Sequence, residues 1–297
     1  MKIFDSFMFY DEDMILDFRL NCLNKYVDKF IIVESKFTHS GKKKELNFNI
    51  KNFPKFKDKI TYLVLNHEPL DIEKINSDDD ENTKNSKYIL NGMRRDFYQR
   101  NYITNGLKDA KDNDLILISD LDEIPNLENK NIKDIKNKII IFKQNFYYYK
   151  FNLKLGSFNW YGTRACKKCN LKSPQWLRNI KSKKYPIWRI DTLFSNTKAS
   201  DIFFVDDGGW HFSNMKTPED LEKKMSTYAH HREYDLNPLG PLKIADRIKK
   251  KETIYNLKED MKTDKFNNPE RLITADIREM PSYLQQNIDK YKEWFVK

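Results

Sequence analysis

Short apolar runs recur along the first half of the chain: Ile3 to Tyr10 (IFDSFMFY), Lys29 to Ser35 (KFIIVES), Ile60 to Leu65 (ITYLVL) and Leu115 to Ser119 (LILIS). Each is brief and rich in β-branched or aromatic residues, which predicts buried strands. Between them the period changes. From Asp13 to Lys25, Ile15, Leu16, Leu20 and Leu23 fall at helical spacing; from Ser86 to Lys108, Ile89, Met93 and Phe97 recur four apart before drifting towards Ile103 and Leu107. Strands alternating with helices predict an α/β fold, a mostly parallel central sheet flanked by helices.

The polar stretch Asp71 to Lys87 has no period and is read as a surface loop. After Pro125 the pattern shifts. Lys138 onward (KIIIFKQNFYYYKFNL) reads as a strand running into an aromatic segment in which Tyr147 to Tyr149 alternate; NWYGTR, PIWRID and, from Ile202, IFFVDDGGWHFS follow. The last third turns helical, with Pro218 to His231, Pro241 to Lys251 and Pro281 to Phe295 each opening at or near a proline, a first-turn residue. With no repeat and no clear linker, one domain over 1–297 is expected, divided near Pro125 into a nucleotide-binding half (1–125) and an acceptor half (126–297) with the C-terminal helices.

Charge changes the picture only partly. Lys and Arg total 54 against 44 acids, a net charge of +10, which favours anionic partners such as nucleic acid, acidic membranes or phosphorylated small molecules without choosing among them. Most lysines sit in short mixed runs such as Lys42 to Lys44, read as solvated faces. Cys166 and Cys169 have the spacing of half a zinc site, but no second pair follows, so reduced thiols are expected there and at Cys22. The first residues, MKIFDSFMFYDEDM, do not form a signal peptide, and no segment offers 18 uninterrupted apolar residues. A cytoplasmic protein without a membrane span is expected.

Candidate chemistry centres on DLILISDLDEIP, Asp114 to Pro125, where an apolar run drives into Asp120, Asp122 and Glu123. In an open α/β sheet ligands bind beyond the carboxyl ends of the strands, which is where these carboxylates fall. An extended chain would point Asp120 and Asp122 to one side with Cα atoms roughly 6–7 Å apart. Such a pair suits a hard divalent cation, Mg²⁺ or Mn²⁺, that keeps positions open for diphosphate oxygens. An acidic turn is the alternative.

SDLDEIP after DLILI, together with FDSFMFYDE, VDKFIIVESKFTHSGKKK, RRDFYQRNYITNGL and DGGWHFS, resembles glycosyltransferase family 17 from Lys2 to about His231, with the motifs in the family's order. The resemblance implies a GT-A type nucleotide-sugar-binding fold, a UDP-sugar donor (UDP-N-acetylglucosamine by analogy), a divalent metal, a glycan acceptor and inversion at the anomeric carbon. The chain departs from the animal members at Phe212, where they carry cysteine, and has a doubled Asp206-Asp207 before it. On this basis Asp122 is the expected metal ligand, Asp120 touches the ribose or a metal-bound water, and Glu123 orients the sugar or supports the metal. His211 is expected to complete the metal shell, and His230 and His231 to be structural. Asp207, then Asp206, then Glu123 are the candidate bases for the acceptor hydroxyl. Arg100 and one of Arg94 and Arg95 are candidates for the diphosphate, Glu34 and Ser35 for the uridine, and Trp160, Tyr161 and Trp210 for stacking on a sugar. A metal-dependent nuclease or phosphotransferase, or an inactive carbohydrate-binding module of the same fold, are the rival readings; no nucleic-acid motif or phosphate loop favours the former.

Overall fold

The computed structural model describes residues 1–128, 130–186, 188–226, 234, 238–257 and 266–296. The four strands predicted first are present as β1 (Ile3–Phe9), β2 (Lys29–Ser35), β3 (Ile60–Leu65) and β4 (Leu115–Ile118). They lie in the order β3-β2-β1-β4, all parallel, with Phe7 opposite Ile32 and Phe4 opposite Ile116. The two-residue period divides their side chains between two cores. Phe7, Phe30, Ile32 and Leu117 pack on one face with α1 (Asp13–Leu23), while Phe4, Ile31, Val33 and Ile116 pack on the other with Ile103 and Leu107, which follow α2 (Glu81–Tyr102).

α2 starts five residues before the predicted Ser86 and takes in part of the expected loop. Asp80 caps it by accepting from the Thr83 N–H at 2.9 Å, and its first turns carry no apolar period because they face solvent.

Beyond Pro125 the sheet is mixed, which corrects the expectation of a mostly parallel one. β5 (Glu123–Pro125), β6 (Ile139–Tyr148) and β7 (Leu153–Lys167) are followed by the short helices α3 (Pro174–Asn179) and α4 (Asp191–Phe194), then β8 (Ile202–Val205), β9 (Gly209–Ser213) and α5 (Pro218–Met225). β7 lies antiparallel between β4 and β6 and so joins the two halves in one sheet; β8 and β9 pair in parallel with the first and second parts of β6. The cause is the four-residue link from Tyr149 to Asn152, long enough for a hairpin and too short for a parallel crossover. Tyr147, Tyr148 and Tyr149 are all buried, rather than half of them.

The C-terminal region is less helical than predicted. Helix Pro218–Met225 is shorter than expected, with the remainder, His230 and His231 included, outside the described residues. Helix Pro241–Lys250 is present. The last expected helix is five residues, Ser282–Gln286, followed by 3-10 turns over Ile288–Trp294, and the two-residue strand Ile273–Thr274 pairs with β7. No described helix is long and apolar enough to cross a membrane.

Candidate active site

The four residues of β4 are fully buried, and the chain then turns instead of staying extended: the Glu123 N–H donates to the Asp120 carbonyl at 3.1 Å, and the Asp120 N–H to Glu123 Oε2 at 2.9 Å. Arg19 grips this turn from below. Its Nη1 donates to the carbonyls of Asp120 (3.2 Å), Leu121 (3.1 Å) and Glu123 (2.7 Å), while Nε and Nη2 hold both oxygens of Asp5 at 2.8 and 2.6 Å. Both side chains of that ion pair are fully buried. A planar fork with five donors suits this task, since one group meets a carboxylate and a row of carbonyls together.

The turn sends its three carboxylates in different directions. Asp120 is held by Arg178 Nη2 at 2.9 Å and Arg100 Nη2 at 3.2 Å. Burial opposes its charge, but Arg178 and Arg100 outweigh burial and hold its pKa well below the usual carboxylate range. Glu123 is fully buried, with Oε2 accepting from Arg178 Nη1 at 2.7 Å and Oε1 from the Trp160 indole at 2.6 Å and Arg178 Nη2 at 3.0 Å. Asp122 faces His211, Nε2 to Oδ1 3.3 Å. The register of β5 against β9 sets that meeting by placing His211 opposite Glu123, and the Phe212 N–H donates to the Asp122 carbonyl at 2.9 Å. Burial favours neutral imidazole, yet Asp122, with Glu123 and Asp120 behind it, raises the His211 pKa; in return burial of Asp122 is outweighed by His211, and its pKa is lowered.

Asp120, Asp122, Arg100 and His211 meet in a cavity of about 340 Å³ at the carboxyl ends of β1, β2 and β4. Its apolar wall is Phe9, Tyr10, Phe37 and Met215; Ser35, Thr38 and Gln99 offer polar groups; Lys44, Lys216 and Lys224 add positive charge. This is the size and mixture of a small-molecule site, at the place the topology favours. Of the predicted arginines only Arg100 reaches it. Arg94 pairs with Glu73 at 2.7 Å and Arg95 with Glu68 at 2.5 Å. Ser35 lines the cavity, but Glu34 does not: its oxygens are taken by Lys44, the N–H groups of Asn47 (2.8 Å) and Phe48 (3.1 Å), and the Tyr62 hydroxyl (2.8 Å).

Asp206 and Asp207 stand apart from this cavity. They occupy the exposed turn between β8 and β9, where Asp206 lies 3.5 Å from Lys143 and Asp207 adopts a positive φ of 47°. Asp207 lines a second, more polar cavity of about 470 Å³, together with Trp210, Asn126 and Arg278. Trp210 is buried with its indole donating to the Glu279 carbonyl at 2.6 Å, and Trp160 is tied to Glu123, so neither tryptophan is a free stacking platform in this arrangement.

Among the described residues no group of three or more His, Cys, Asp or Glu side chains converges as a metal shell. Asp120 is committed to arginine, which leaves the pair Asp122 and His211. Their 3.3 Å separation matches neighbouring ligands of one divalent ion, which with bonds of ~2.0–2.2 Å at right angles stand about 3 Å apart. Two protein ligands fit a cation that retains water and takes the rest of its shell from a phosphorylated ligand.

Sequence reasoning missed Arg19, Arg178, Lys216 and Lys224. Arg178 ends α3, which Ser173 caps by accepting from the Trp176 N–H at 3.1 Å with Pro174 in its first turn; that Ser-Pro start was the available signal.

The sequence profile of glycosyltransferase family 17 matches residues 1–295, essentially the whole chain. No curated protein matches it.

Proposed function

This chain belongs to glycosyltransferase family 17, and from that premise we propose that it transfers a sugar, N-acetylglucosamine by preference, from a UDP-sugar to a glycan hydroxyl with inversion, on a GT-A type fold. One observation carries the site assignment: the Asp122–His211 pair opens into a cation-lined cavity at the carboxyl ends of the parallel strands β1, β2 and β4. A divalent cation such as Mn²⁺, held by Asp122 and His211, would supply charge neutralisation for the departing diphosphate.

The protein's own groups then have separable tasks. Ser35, Phe37, Thr38 and Gln99, grouped around the end of β2, face the nucleoside. Arg100, Lys44, Lys216 and Lys224 offset phosphate charge, with Lys216 fixed by Asp11. The Arg178–Glu123–Trp160 cluster and the Arg19 grip hold the turn still, so that the site's charges need no reorganisation during transfer. Acceptance of the acceptor proton is assigned to this cavity and away from Asp206 and Asp207. Glu12 is the lining carboxylate with the loosest engagement, its ion partner Lys216 lying at 3.7 Å.

Release of UDP from a panel of UDP-sugars with Mn²⁺ tests this. Asp122→Ala should reduce turnover by at least about 10²-fold, Glu12→Gln by about 10–10²-fold, and Asp207→Asn by less than about threefold. Loss of activity in Asp207→Asn with retention in Asp122→Ala would overturn the assignment.

A further inference from the structure

One exposed excursion, Lys181 to Lys198, takes no part in the candidate site. It leaves the body after Ile180, which is buried beside Leu177 and Ile202, and returns where the Lys181 N–H donates to the Thr197 carbonyl at 2.7 Å. Its conformation is internally fixed. Asp191 accepts from Arg189 Nε and Nη2 at 2.7 and 2.8 Å and from Lys198 Nζ at 2.8 Å, and the Thr192 hydroxyl donates to the Arg189 carbonyl at 2.7 Å.

On that frame Trp188, Ile190 and Phe194 are 77, 70 and 85% exposed. A single exposed apolar side chain needs no explanation, but three large ones within seven positions do. Lys181, Lys183, Lys184 and Arg189 are exposed around them, and with Lys198 they oppose one acid, Asp191, for a net charge of +4 over the segment.

We propose that this excursion docks the protein on an anionic bilayer surface, with Trp188, Ile190 and Phe194 entering the interfacial layer and Lys181, Lys183 and Lys184 meeting the headgroups. Charge complementarity selects this occupant. A basic, aromatic, protruding element matches a deformable anionic interface, and tryptophan is at home at that depth. The excursion also roots close to the candidate site: Arg164 Nη2 donates to the Ser182 hydroxyl at 3.2 Å, and Arg178, which holds Asp120, precedes Lys181 by three residues. Docking there would bring the cavity beside a membrane surface.

Co-sedimentation of the full chain with phosphatidylcholine vesicles, with and without about a third phosphatidylglycerol, is the test. Binding to the anionic vesicles should exceed binding to neutral ones by about tenfold or more, and should weaken by at least about tenfold in Trp188→Ser/Phe194→Ser and in Lys183→Glu/Lys184→Glu. Both variants change exposed side chains, so melting temperature and UDP-sugar hydrolysis in solution should stay as in wild type. Absence of wild-type binding, or equal binding by the variants, overturns the proposal. So does self-association that the serine variant abolishes without any vesicle binding, which would make a second copy the occupant.

Discussion

A guanidinium with no exposure, set in the middle of a helix, has to have every donor used, and Arg19 spends its donors on Asp5 and three carbonyls of the Asp120–Glu123 turn. Removing one charge of such a pair leaves the other buried without compensation. Arg19→Met is expected to cost about 3–5 kcal/mol in urea denaturation. The double change Asp5→Leu/Arg19→Met removes both charges and should recover most of that loss, yet turnover should stay low because the carbonyls of the turn have lost their clamp. His211 gives a pH prediction. Burial opposes its protonation and Asp122 outweighs burial, so the folded pKa is raised. The stability this supplies is fully present below the unfolded value of about 6.5 and is lost as pH rises through the raised folded value. For cation-free protein, the stability difference between wild type and His211→Gln should therefore shrink as pH rises from 6.5 upward. Mn²⁺ affinity should move the other way, strengthening with pH, because a cation competes with the proton for the imidazole. Urea denaturation and calorimetry across that range check both signs.

β5 and β9 are short strands whose pairing sets the site, and a glycine makes the pairing possible. Gly209 has a φ of +133°, and a Cβ there would lie 2.1 Å from the Ile124 carbonyl oxygen. The pair Gly208-Gly209 reads in the sequence as room for a ligand; what approaches is the neighbouring backbone. Gly209→Ala should cost at least about 2 kcal/mol and weaken cation binding with it, since the same ladder places His211 against Asp122. Loss of stability without loss of affinity would separate the ladder from the site. The same contrast separates what was legible from what was not. β1, β2 and β4 are buried on both faces, so each appears as an unbroken apolar run, and the carboxylates after β4 stand where parallel topology puts ligands. β5 has three residues and no period of its own, so the turn before it looked like extended chain. The hairpin between β6 and β7 reverses the sheet through a four-residue link with no strong turn signature. Arg178 lies 55 residues from Glu123, and nothing local marks which of many cations a tertiary fold will bring to a carboxylate. Asp206 and Asp207 follow a strand as expected, but their turn carries them to the other cavity.

At the scale of the whole molecule, one sheet separates two cavities. Trp210 and His211 are neighbours on β9 and so face opposite sides; the first lines the polar cavity with Asp207, the second the cation-lined cavity with Asp122. A nucleotide diphosphate has reason to choose the second side, where Arg100, Lys44, Lys216 and Lys224 gather part of the net charge of +10. Binding there is linked to folding. UDP at 100 times its dissociation constant with Mn²⁺ present stabilises the folded state by about 2.7 kcal/mol. For a chain of this length that is a rise in melting temperature of roughly 5 °C. An oligonucleotide should give no comparable rise, and chelation of the cation should remove most of the rise given by UDP. Hydrogen exchange locates the event: amides after β1 and β2, in the Asp120–Glu123 turn and from His211 to Lys216 should slow, while those around Arg278 to Gln285 should not. Slowing confined to the second group would put the nucleotide beside Asp207, make the Asp206–Asp207 turn the catalytic edge, and leave Asp122 and His211 as an ion pair that only joins β9 to the turn.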